Sequence, residues 1–550
     1  MDLFSVILFL GNYYLKPQEW AGFMSSLRPV QLSMMLGVAA LLNREKKTRI
    51  GDLIQTPHDR ALLLFFLWVI LTSGKPFTTF TAVSNLIVFY IVIVQTLNTL
   101  QRMKVFLNWW CVFIVIVAGL AILSEYGFDP FGSYDITHGH MKDRLILNIS
   151  IFNNPNSLAH SVVPAIPMLY FLMLWNRNFF MKSMAILAIS IPLYCIYLTV
   201  SKGAFLAGFV SLLATLTFGR PKTVQIALLV LGIGFGYGAL YMLPRMSELN
   251  KSKSDEAIQG RIAAYTYGYK CVTTLPFGIG YYNWMDSFYQ QSRRYRIVKT
   301  YAALKGGGQV TIKHLVPERY RKAAHGSFNQ MGAELGFTGL ALFFGMVWCN
   351  LRTLCTAQTA NSDEERIRRI LFVLNLTYLV SSWMVDFGYR ATFFMFTAAS
   401  AAFHRHLTGV YRLREKEIAD ETASSSIPVW QRRLQPASVP KIRNLAIPTD
   451  PRGAIRQSAV STLPVGSLEI ALSAPLPLAE TRNSSASDAA QANPAAPLKV
   501  RPLTKTSADP GEALEFGVID WNRYGILEMT MPFVIASCIV RFWHHILQTM

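Results

Sequence analysis

Long apolar runs recur along this chain of 550 residues and limit its fold more than any other feature. Runs of roughly 15 to 22 residues, close to the length that crosses a bilayer, follow one another from residue 3 to residue 408. Inside lipid only helices and closed barrels satisfy their own backbone, and these runs lack the alternation of barrel strands. Only 15% of the residues are charged. We therefore predict an all-α polytopic membrane protein.

The apolar runs divide into about twelve transmembrane helices. The stretch "MDLFSVILFLGNYYLKP" lacks a basic region and a small-residue cleavage site, so it is interpreted as the first span and not as a signal peptide. The predicted spans lie at about residues 3–16, 28–43, 61–74, 79–98, 105–124, 157–175, 183–200, 203–218, 224–243, 328–351, 370–386 and 391–408.

Basic residues favour one orientation of these spans. With the N-terminus in the cytoplasm, the inner loops hold fifteen Lys and Arg and the short outer loops hold seven, as the positive-inside rule requires. Two outer segments are long, residues 125–156 and 244–327. The second carries fourteen basic residues against five acidic ones, which favours either anionic lipid headgroups or a phosphorylated substrate as its partner.

The sequence indicates three regions. Residues 1–409 form the transmembrane domain, with a large helical periplasmic loop at 244–327 between spans nine and ten. Residues 410–522 are rich in Ala, Ser and Pro and are predicted to be a disordered cytoplasmic tail that is dispensable for chemistry. Residues 523–550 are apolar and form either an interfacial helix or a further span.

Polar side chains gather at the predicted outer boundary of the spans. Lys202 follows span seven, and Arg261 shares a predicted helix face with Tyr265 and Tyr269, a pattern suited to a phosphate or a sugar. His325 precedes span ten, and Asn329 lies four residues further on and could orient a sugar or the imidazole. Gln330 and Glu334 form a second polar pair, and Arg144, Asn156, Asp386 and Arg390 also lie at outer mouths of spans.

Four stretches together resemble the O-antigen ligase and O-antigen polymerase superfamily of bacterial membrane glycosyltransferases. They are "FNNPNSLAHSVVPAIP", "TVSKGAFLAGFVSLL", "GRIAAYTYGYKCVTTLPFGIGYYNW" and "HGSFNQMGAELGFTGLALFF". The resemblance covers roughly residues 140–405 and extends to the large loop between spans nine and ten. It implies transfer of a glycan from an undecaprenyl diphosphate carrier to a periplasmic acceptor, such as lipid A-core or a growing polysaccharide, at the bacterial inner membrane, without a metal or other cofactor.

The resemblance also implies roles for three residues. His325 corresponds to the family's histidine, Arg261 to the arginine of its "GR" motif, and Lys202 to the arginine of its "S-R-G" motif, which reads "SKG" here. Lysine keeps the charge but lacks the bidentate fork of arginine. Cations would stabilise the leaving diphosphate and the histidine would accept the acceptor's proton. The residues expected to bind substrate are Arg144, Asn156, Tyr265, Tyr282, Asn283, Asn329, Gln330 and Arg390.

Several alternatives stay open on the sequence alone. Within the enzyme class, an O-antigen or exopolysaccharide polymerase and a protein O-oligosaccharyltransferase fit as well as a ligase. A transporter or flippase for lipid-linked glycan is the main alternative of another class, although such proteins place ionisable groups near the bilayer midplane and show repeated halves. A non-catalytic assembly protein would be supported only by the long tail. No nucleic-acid motif accompanies the net charge of +20.

Overall fold

Helices make up most of the structure, a computed structural model that describes residues 1–43, 50–141, 143–242, 256–292, 294–303, 309–410, 517–521 and 523–549. A π-helical turn at Tyr170–Leu174 follows α9, and short 3-10 turns lie at Gly22–Met24 and Ile50–Leu53. The helices are α1 (Asp2–Leu15), α2 (Pro17–Trp20), α3 (Pro29–Leu42), α4 (Pro57–Leu71), α5 (Pro76–Thr96), α6 (Leu100–Glu125), α7 (Ser133–Gly139), α8 (Pro155–Val162), α9 (Ala165–Leu169), α10 (Phe179–Leu198), α11 (Lys202–Thr217), α12 (Lys222–Met242), α13 (Glu256–Thr274), α14 (Trp284–Gln291), α15 (Ser327–Thr356), α16 (Ser362–Ser381), α17 (Ala391–Leu407) and α18 (Ile526–Thr549).

The chain is a helical membrane protein. Six helical stretches of the described chain are long and apolar enough to cross a bilayer. They are Pro76–Thr96, Leu100–Glu125, Pro155–Leu174, Phe179–Leu198, Ser327–Thr356 and Ile526–Gln548. Four further apolar helical stretches, at Asp2–Leu15, Pro29–Leu42, Lys202–Thr217 and Lys222–Gly232, are shorter. Each predicted apolar run coincides with helical structure.

The helices cross the bundle back and forth between two ends. At one end Asp2 pairs with Arg102 at 2.7 Å and Lys104 pairs with Asp363 at 2.8 Å, which brings together the starts of α1, α6 and α16. At the other end the backbone N–H of Ser327 donates to the Ser382 carbonyl at 2.7 Å, joining the start of α15 to the end of α16. We call these the Asp2 end and the His325 end.

Helix α15 lies at the centre of the bundle, where it packs against α4, α13, α16, α17 and α18. It is broken at Gly336, whose φ of 69° and ψ of −173° are outside the helical region. The segment after α13 fills the break, because the N–H groups of Ile279 and Gly280 donate to the carbonyls of Ala333 and Glu334, both at 2.9 Å. A Cβ at Gly336 would lie 2.2 Å from the Pro276 carbonyl oxygen, so only glycine fits here.

The sequence predicted a helical loop between α12 and α15, but this loop also contains two strands. Helices α13 and α14 are followed by an antiparallel hairpin, β1 (Arg294–Ala303) and β2 (Gln309–Glu318), with Arg294 opposite Glu318 and Ala303 opposite Gln309. A ten-residue strand pair satisfies its backbone without a helix and can stand outside the bilayer. The predicted N-cap of α13, Ser254, lies outside the described residues.

The C-terminal apolar segment belongs to the bundle. Before α18, Gly517 donates its N–H to Glu364 and Val518 pairs with Gln358, both contacts at the Asp2 end. At the other end of α18, Phe542 packs on Trp383 and Trp543 packs on Tyr265. Helix α18 therefore runs the length of the bundle, consistent with a span and not with an interfacial helix.

The predicted disordered tail ends earlier than the sequence indicated. Residues 411–516 lie outside the described residues, but residues 517–521 are bound to the bundle and do not belong to a disordered tail that ends at 522. His404 is within 2.8 Å of the Trp521 carbonyl, and the Arg352 guanidinium lies over the Trp521 ring at 4.6 Å. The described residues of the chain form one compact unit.

Candidate active site

His325 occupies a strained and half-buried position just before α15. Its φ is 57°, a left-handed conformation that is uncommon outside glycine. The sequence placed His325 on the first turn of the helix, but α15 begins two residues later, at Ser327. The Ser327 hydroxyl donates to the Val385 carbonyl at 2.8 Å and accepts from the Phe387 N–H at 2.9 Å. These bonds hold the His325 backbone against the loop between α16 and α17.

The His325 imidazole is held in its neutral form. Burial, together with the charges of Arg261 and Lys322, lowers the pKa of His325 to about 4. Its Nε2 atom is buried and has no hydrogen-bond partner among the described residues. A neutral imidazole with an unpartnered nitrogen can accept a proton, which is the property that a general base needs.

Two cationic side chains flank His325 across α13. Arg261 is exposed on the first half of α13, as the sequence predicted. The Lys322 side chain packs against the same helix at Gly260. A Cβ added at Gly260 would lie 2.8 Å from the Lys322 Nζ atom. Lys322 was not among the residues predicted from the sequence. Its position three residues before His325, in a run of basic residues, could have identified it from the sequence.

Lys202 is exposed at the first position of α11, where Ser201 is the N-cap. The preceding residue, Val200, has φ 49°, a rare value for a β-branched side chain. Asn156 and Arg144 support this turn. The Asn156 Oδ1 atom accepts from Ser201 at 2.8 Å and from Arg144 at 2.9 Å, and Arg144 also donates to the Thr199 carbonyl at 3.1 Å. Asn156 and Arg144 thus position Lys202 through the backbone.

His160 connects the Lys202 turn to Arg261, and the sequence analysis missed it. Its Nδ1 atom lies 2.9 Å from the Ser381 hydroxyl, and its buried Nε2 atom has no partner among the described residues. A Cβ at Gly203 would be 3.2 Å from that Nε2 atom, and Arg261 interacts with His160 electrostatically. The sequence could have indicated His160 by its spacing of four residues from Asn156, because residues so spaced share one helix face.

Three of the residues expected to bind substrate line a cavity of about 290 Å³ beside the cationic side chains. Tyr282, Gln330 and Arg390 are in its wall, and so are Ala323 and Ala324, which directly precede His325. Arg390 also contacts the Ile151 carbonyl at 3.4 Å. Gln330 and Glu334, grouped by their spacing in the sequence, both line this cavity, and their side chains interact.

Three other selected residues bind the protein's own backbone. The Asn329 amide donates to the Ala324 carbonyl at 2.7 Å and the Ala264 carbonyl at 3.3 Å, and its side chain is fully buried. Its amide nitrogen is therefore bound to the backbone, and the expected role of Asn329 toward a sugar or the imidazole stays a prediction. Tyr265 contacts the carbonyls of Trp383 and His325. The Asn283 amide donates to the Ile279 carbonyl at 3.0 Å.

An apolar cavity of about 280 Å³ lies between α15, α16 and α18. Phe328 and Trp383 line it near the His325 end, and Ile535 and Ile539 of α18 form one wall. Phe328 follows His325 by three residues, so the cavity begins beside the candidate site. Such an apolar space suits a hydrocarbon chain.

Together these side chains place a neutral imidazole, three cationic groups and a polar cavity at one end of a membrane-embedded bundle. In the described part of the chain, no group of three or more His, Cys, Asp or Glu side chains is arranged to hold a metal ion. The arrangement can bind an anion, accept a proton and hold a polar ligand beside them. No family model matches the chain, and comparison with curated proteins finds no significant relative.

Proposed function

We propose that this protein is a glycosyltransferase that moves a glycan from an undecaprenyl diphosphate carrier to an acceptor hydroxyl, in the manner of an O-antigen ligase. The observation that carries the proposal is the neutral His325 imidazole, whose Nε2 atom has no partner in the described part of the chain and which senses the charges of Arg261 and Lys322. A base close to an anion site suits a reaction in which a hydroxyl loses a proton while a diphosphate leaves.

In the proposed reaction the acceptor oxygen attacks the anomeric carbon of the donor. A new C–O bond forms, the bond from the anomeric carbon to the phosphate oxygen breaks, and the electron pair leaves with undecaprenyl diphosphate. His325 takes the hydroxyl proton. Arg261, Lys322 and Lys202 stabilise the charge that develops on the diphosphate, where loss of one such contact costs about 2 to 4 kcal/mol of transition-state stabilisation.

The membrane setting supports a lipid-linked donor. The apolar cavity beside Phe328 and Trp383 offers a place for the first part of the polyprenyl chain. The candidate cations gather at one end of the bundle, where a lipid headgroup lies, whereas a transport site is expected near the bilayer midplane. We therefore prefer an enzyme to a flippase.

We further propose that twelve spans of the core and α18 cross a bacterial inner membrane, with the His325 end facing the periplasm. The basic residues Arg102, Lys104, Arg177, Arg366 and Arg369 lie in loops or helix starts at the Asp2 end, which supports a cytoplasmic location for that end. The choice between ligase, polymerase and protein O-oligosaccharyltransferase depends on the acceptor.

The test is transfer by purified full-length protein in nanodiscs. It is incubated with undecaprenyl diphosphate-linked oligosaccharides and with lipid A-core, glycan or pilin-like peptide acceptors, with and without EDTA. We expect a mass-identified glycosylated acceptor and free undecaprenyl diphosphate, unchanged by EDTA. Movement of intact lipid-linked glycan across the bilayer, with no glycosidic bond made or broken, would contradict the proposal in favour of a flippase.

A further inference from the structure

The polar cavity of about 290 Å³ contains groups that the proposed chemistry does not use. Its wall includes Gln330 and Glu334 of α15, and Asp386 and Tyr389 of the loop between α16 and α17. Glu334 is fully buried. Its Oε1 atom accepts the Trp284 N–H at 3.1 Å, which fixes the carboxyl at the start of α14.

Three buried polar atoms at this cavity make no hydrogen bond of ordinary geometry to the described residues, although the Gln330 and Tyr389 side chains lie close enough to the Glu334 carboxyl to interact with it. They are Glu334 Oε2, Gln330 Oε1 and the Tyr389 hydroxyl oxygen. A buried polar group without a partner is destabilising by about 1 to 3 kcal/mol, and more when it is charged. Three such atoms around one cavity indicate a polar occupant that completes their hydrogen bonds.

The side chains at the cavity favour an occupant other than the diphosphate. Two carboxyl groups, Glu334 and Asp386, face the space, and an ionised carboxylate there would repel an anion. The one cation in the wall, Arg390, contacts the Ile151 carbonyl and lies over the Phe387 ring at 4.4 Å. The ligand that matches is therefore neutral and carries several hydrogen-bonding groups.

A sugar ring meets these requirements. Each sugar hydroxyl both donates and accepts, so it can donate to Glu334 Oε2 and Gln330 Oε1 and accept from the Tyr389 hydroxyl. Trp284 and the exposed ring of Tyr282 add aromatic surface to the wall. Ala323 and Ala324, which directly precede His325 in the chain, complete the wall, although His325 itself is not part of it.

We propose that this cavity binds a neutral sugar ring of the acceptor, held by Glu334, Gln330 and Tyr389 with one hydroxyl directed toward His325. Assignment to the acceptor, in contrast to a sugar of the donor, rests on the proposed function, because it follows from the role of His325 as base. The sugar site itself rests only on the cavity and its unpartnered atoms. Glu334 is then a residue that determines which acceptor is used.

The first experiment measures binding without any reaction. Purified full-length protein in nanodiscs is titrated with the methyl glycosides of glucose, galactose, mannose and N-acetylglucosamine, and bound sugar is detected by saturation-transfer NMR. We expect at least one glycoside to bind, and inorganic diphosphate not to displace it. Glu334→Gln replaces the carboxyl by an amide at nearly constant shape and should weaken binding by about tenfold or more.

Two further variants make the result specific. Ala323→Leu narrows the cavity without touching the carboxyl and should also weaken binding. Glu125→Gln is the matched control, since Glu125 pairs with His138 outside the cavity and should leave binding as in the wild type. Melting temperatures verify that each variant is folded. No binding to the wild type, or equal binding to the wild type and to both cavity variants, would overturn the sugar site.

The second experiment identifies the source of the sugar. In the transfer assay, Glu334→Gln should raise KM for the acceptor and leave KM for the lipid-linked donor unchanged. The opposite pattern would overturn the assignment to the acceptor and give the cavity to a donor sugar. If sugars bind in a Glu334-dependent way while no donor supports transfer, the proposed function fails and the sugar site stands.

Discussion

At the residue scale, the surroundings of His325 determine its chemistry more than its identity does. An unperturbed histidine titrates near pH 6.5, so sequence alone cannot separate a base from a cation on the diphosphate. The structure adds burial and two nearby cations, which lower the pKa of His325 to about 4. The free protein therefore holds a neutral base across the physiological range.

The first prediction follows from the sign of this shift. The deprotonated imidazole is the active form, so kcat/KM should rise with pH through about 4 and be level above about pH 6. Arg261→Gln and Lys322→Gln each remove a cation that disfavours protonation, and each should move the midpoint toward higher pH. The bound diphosphate has the same effect, so the midpoint of kcat should exceed that of kcat/KM.

The measurement is the pH–rate profile of the wild type and both variants, with melting temperatures recorded at each pH. Arg352→Gln, which removes a cation at the Asp2 end, is the control for a general loss of positive charge. An activity that falls as pH rises through the midpoint would show that His325 acts as a cation and not as a base.

The second prediction concerns Lys202. Its position at the start of α11 and its exposure suit contact with the diphosphate. Lys202→Ala should reduce kcat/KM by an amount equivalent to about 2 to 4 kcal/mol. Lys202→Arg keeps the charge and adds a bidentate donor, so it should retain or raise activity. An active Lys202→Ala together with an inactive Lys202→Arg would remove Lys202 from the site.

The sequence predicted some residues of the candidate site and did not indicate others. Helical spacing placed Gln330 and Glu334 on one face, and both line the same cavity. It did not show the contacts of Asn329, since the residue opposite it on α13 is Gly268, which leaves room for Asn329 to reach backbone carbonyls. His160 and Tyr389 join the site through tertiary packing, which spacing within one helix does not encode.

At the scale of elements, the break in α15 joins the loop to the membrane domain. The third prediction is that Gly336→Ala destabilises the protein, because φ 69° with ψ −173° belongs to a region that only glycine adopts readily. The expected loss is about 1 to 3 kcal/mol from the backbone, before the contact with Pro276 is counted. Thermal unfolding measures it. Gly119→Ala in α6 is the control, since a Cβ there meets nothing within 4 Å, and an equal effect of both substitutions would refute this role.

The C-terminal helix gives the fourth prediction. Composition predicted that the tail at residues 410–522 is dispensable, whereas α18 beyond it contributes Trp543, which is 1% exposed and contacts Tyr265 and Tyr269 at the candidate site. Truncation after about residue 415 should therefore abolish transfer, whereas deletion of residues 422–512 should retain it. Transfer activity is measured on both purified proteins. An active truncated chain would contradict the role of α18.

A point substitution isolates the same contact. Trp543→Ala should lower the melting temperature and the activity together. Loss of a buried tryptophan costs about 3 to 5 kcal/mol in soluble cores, and less here because lipid also solvates apolar groups. Val534→Ala, on an exposed face of the same helix, should change neither.

At the scale of the whole molecule, hydrophobicity and basic residues predicted the helical membrane fold and the apolar runs. They did so because lipid forces every crossing segment to be apolar and helical. The same patterns did not show the hairpin β1–β2 or the return of residues 517–521 to the bundle, since both depend on pairing between distant parts of the chain.

The fifth prediction concerns orientation. In a variant without the six native cysteines, Gln291→Cys and Gln548→Cys should react with an impermeant maleimide in intact cells whose outer membrane is permeable. Both positions are exposed, and Gln548 lies at the His325 end of α18. Ser461→Cys should react only after the inner membrane is opened. Labelling at Ser461 but not at Gln291 in intact cells would reverse the orientation.

The central claim is that His325 accepts the proton and does not merely hold the donor. The most direct measurement is single-turnover transfer by the wild type and His325→Ala, with binding of undecaprenyl diphosphate measured on the same preparations. If His325 is the base, transfer should slow by about 10² to 10⁴-fold in His325→Ala while binding changes little. Near-normal transfer in His325→Ala, or a loss explained wholly by weaker binding of undecaprenyl diphosphate, would contradict it.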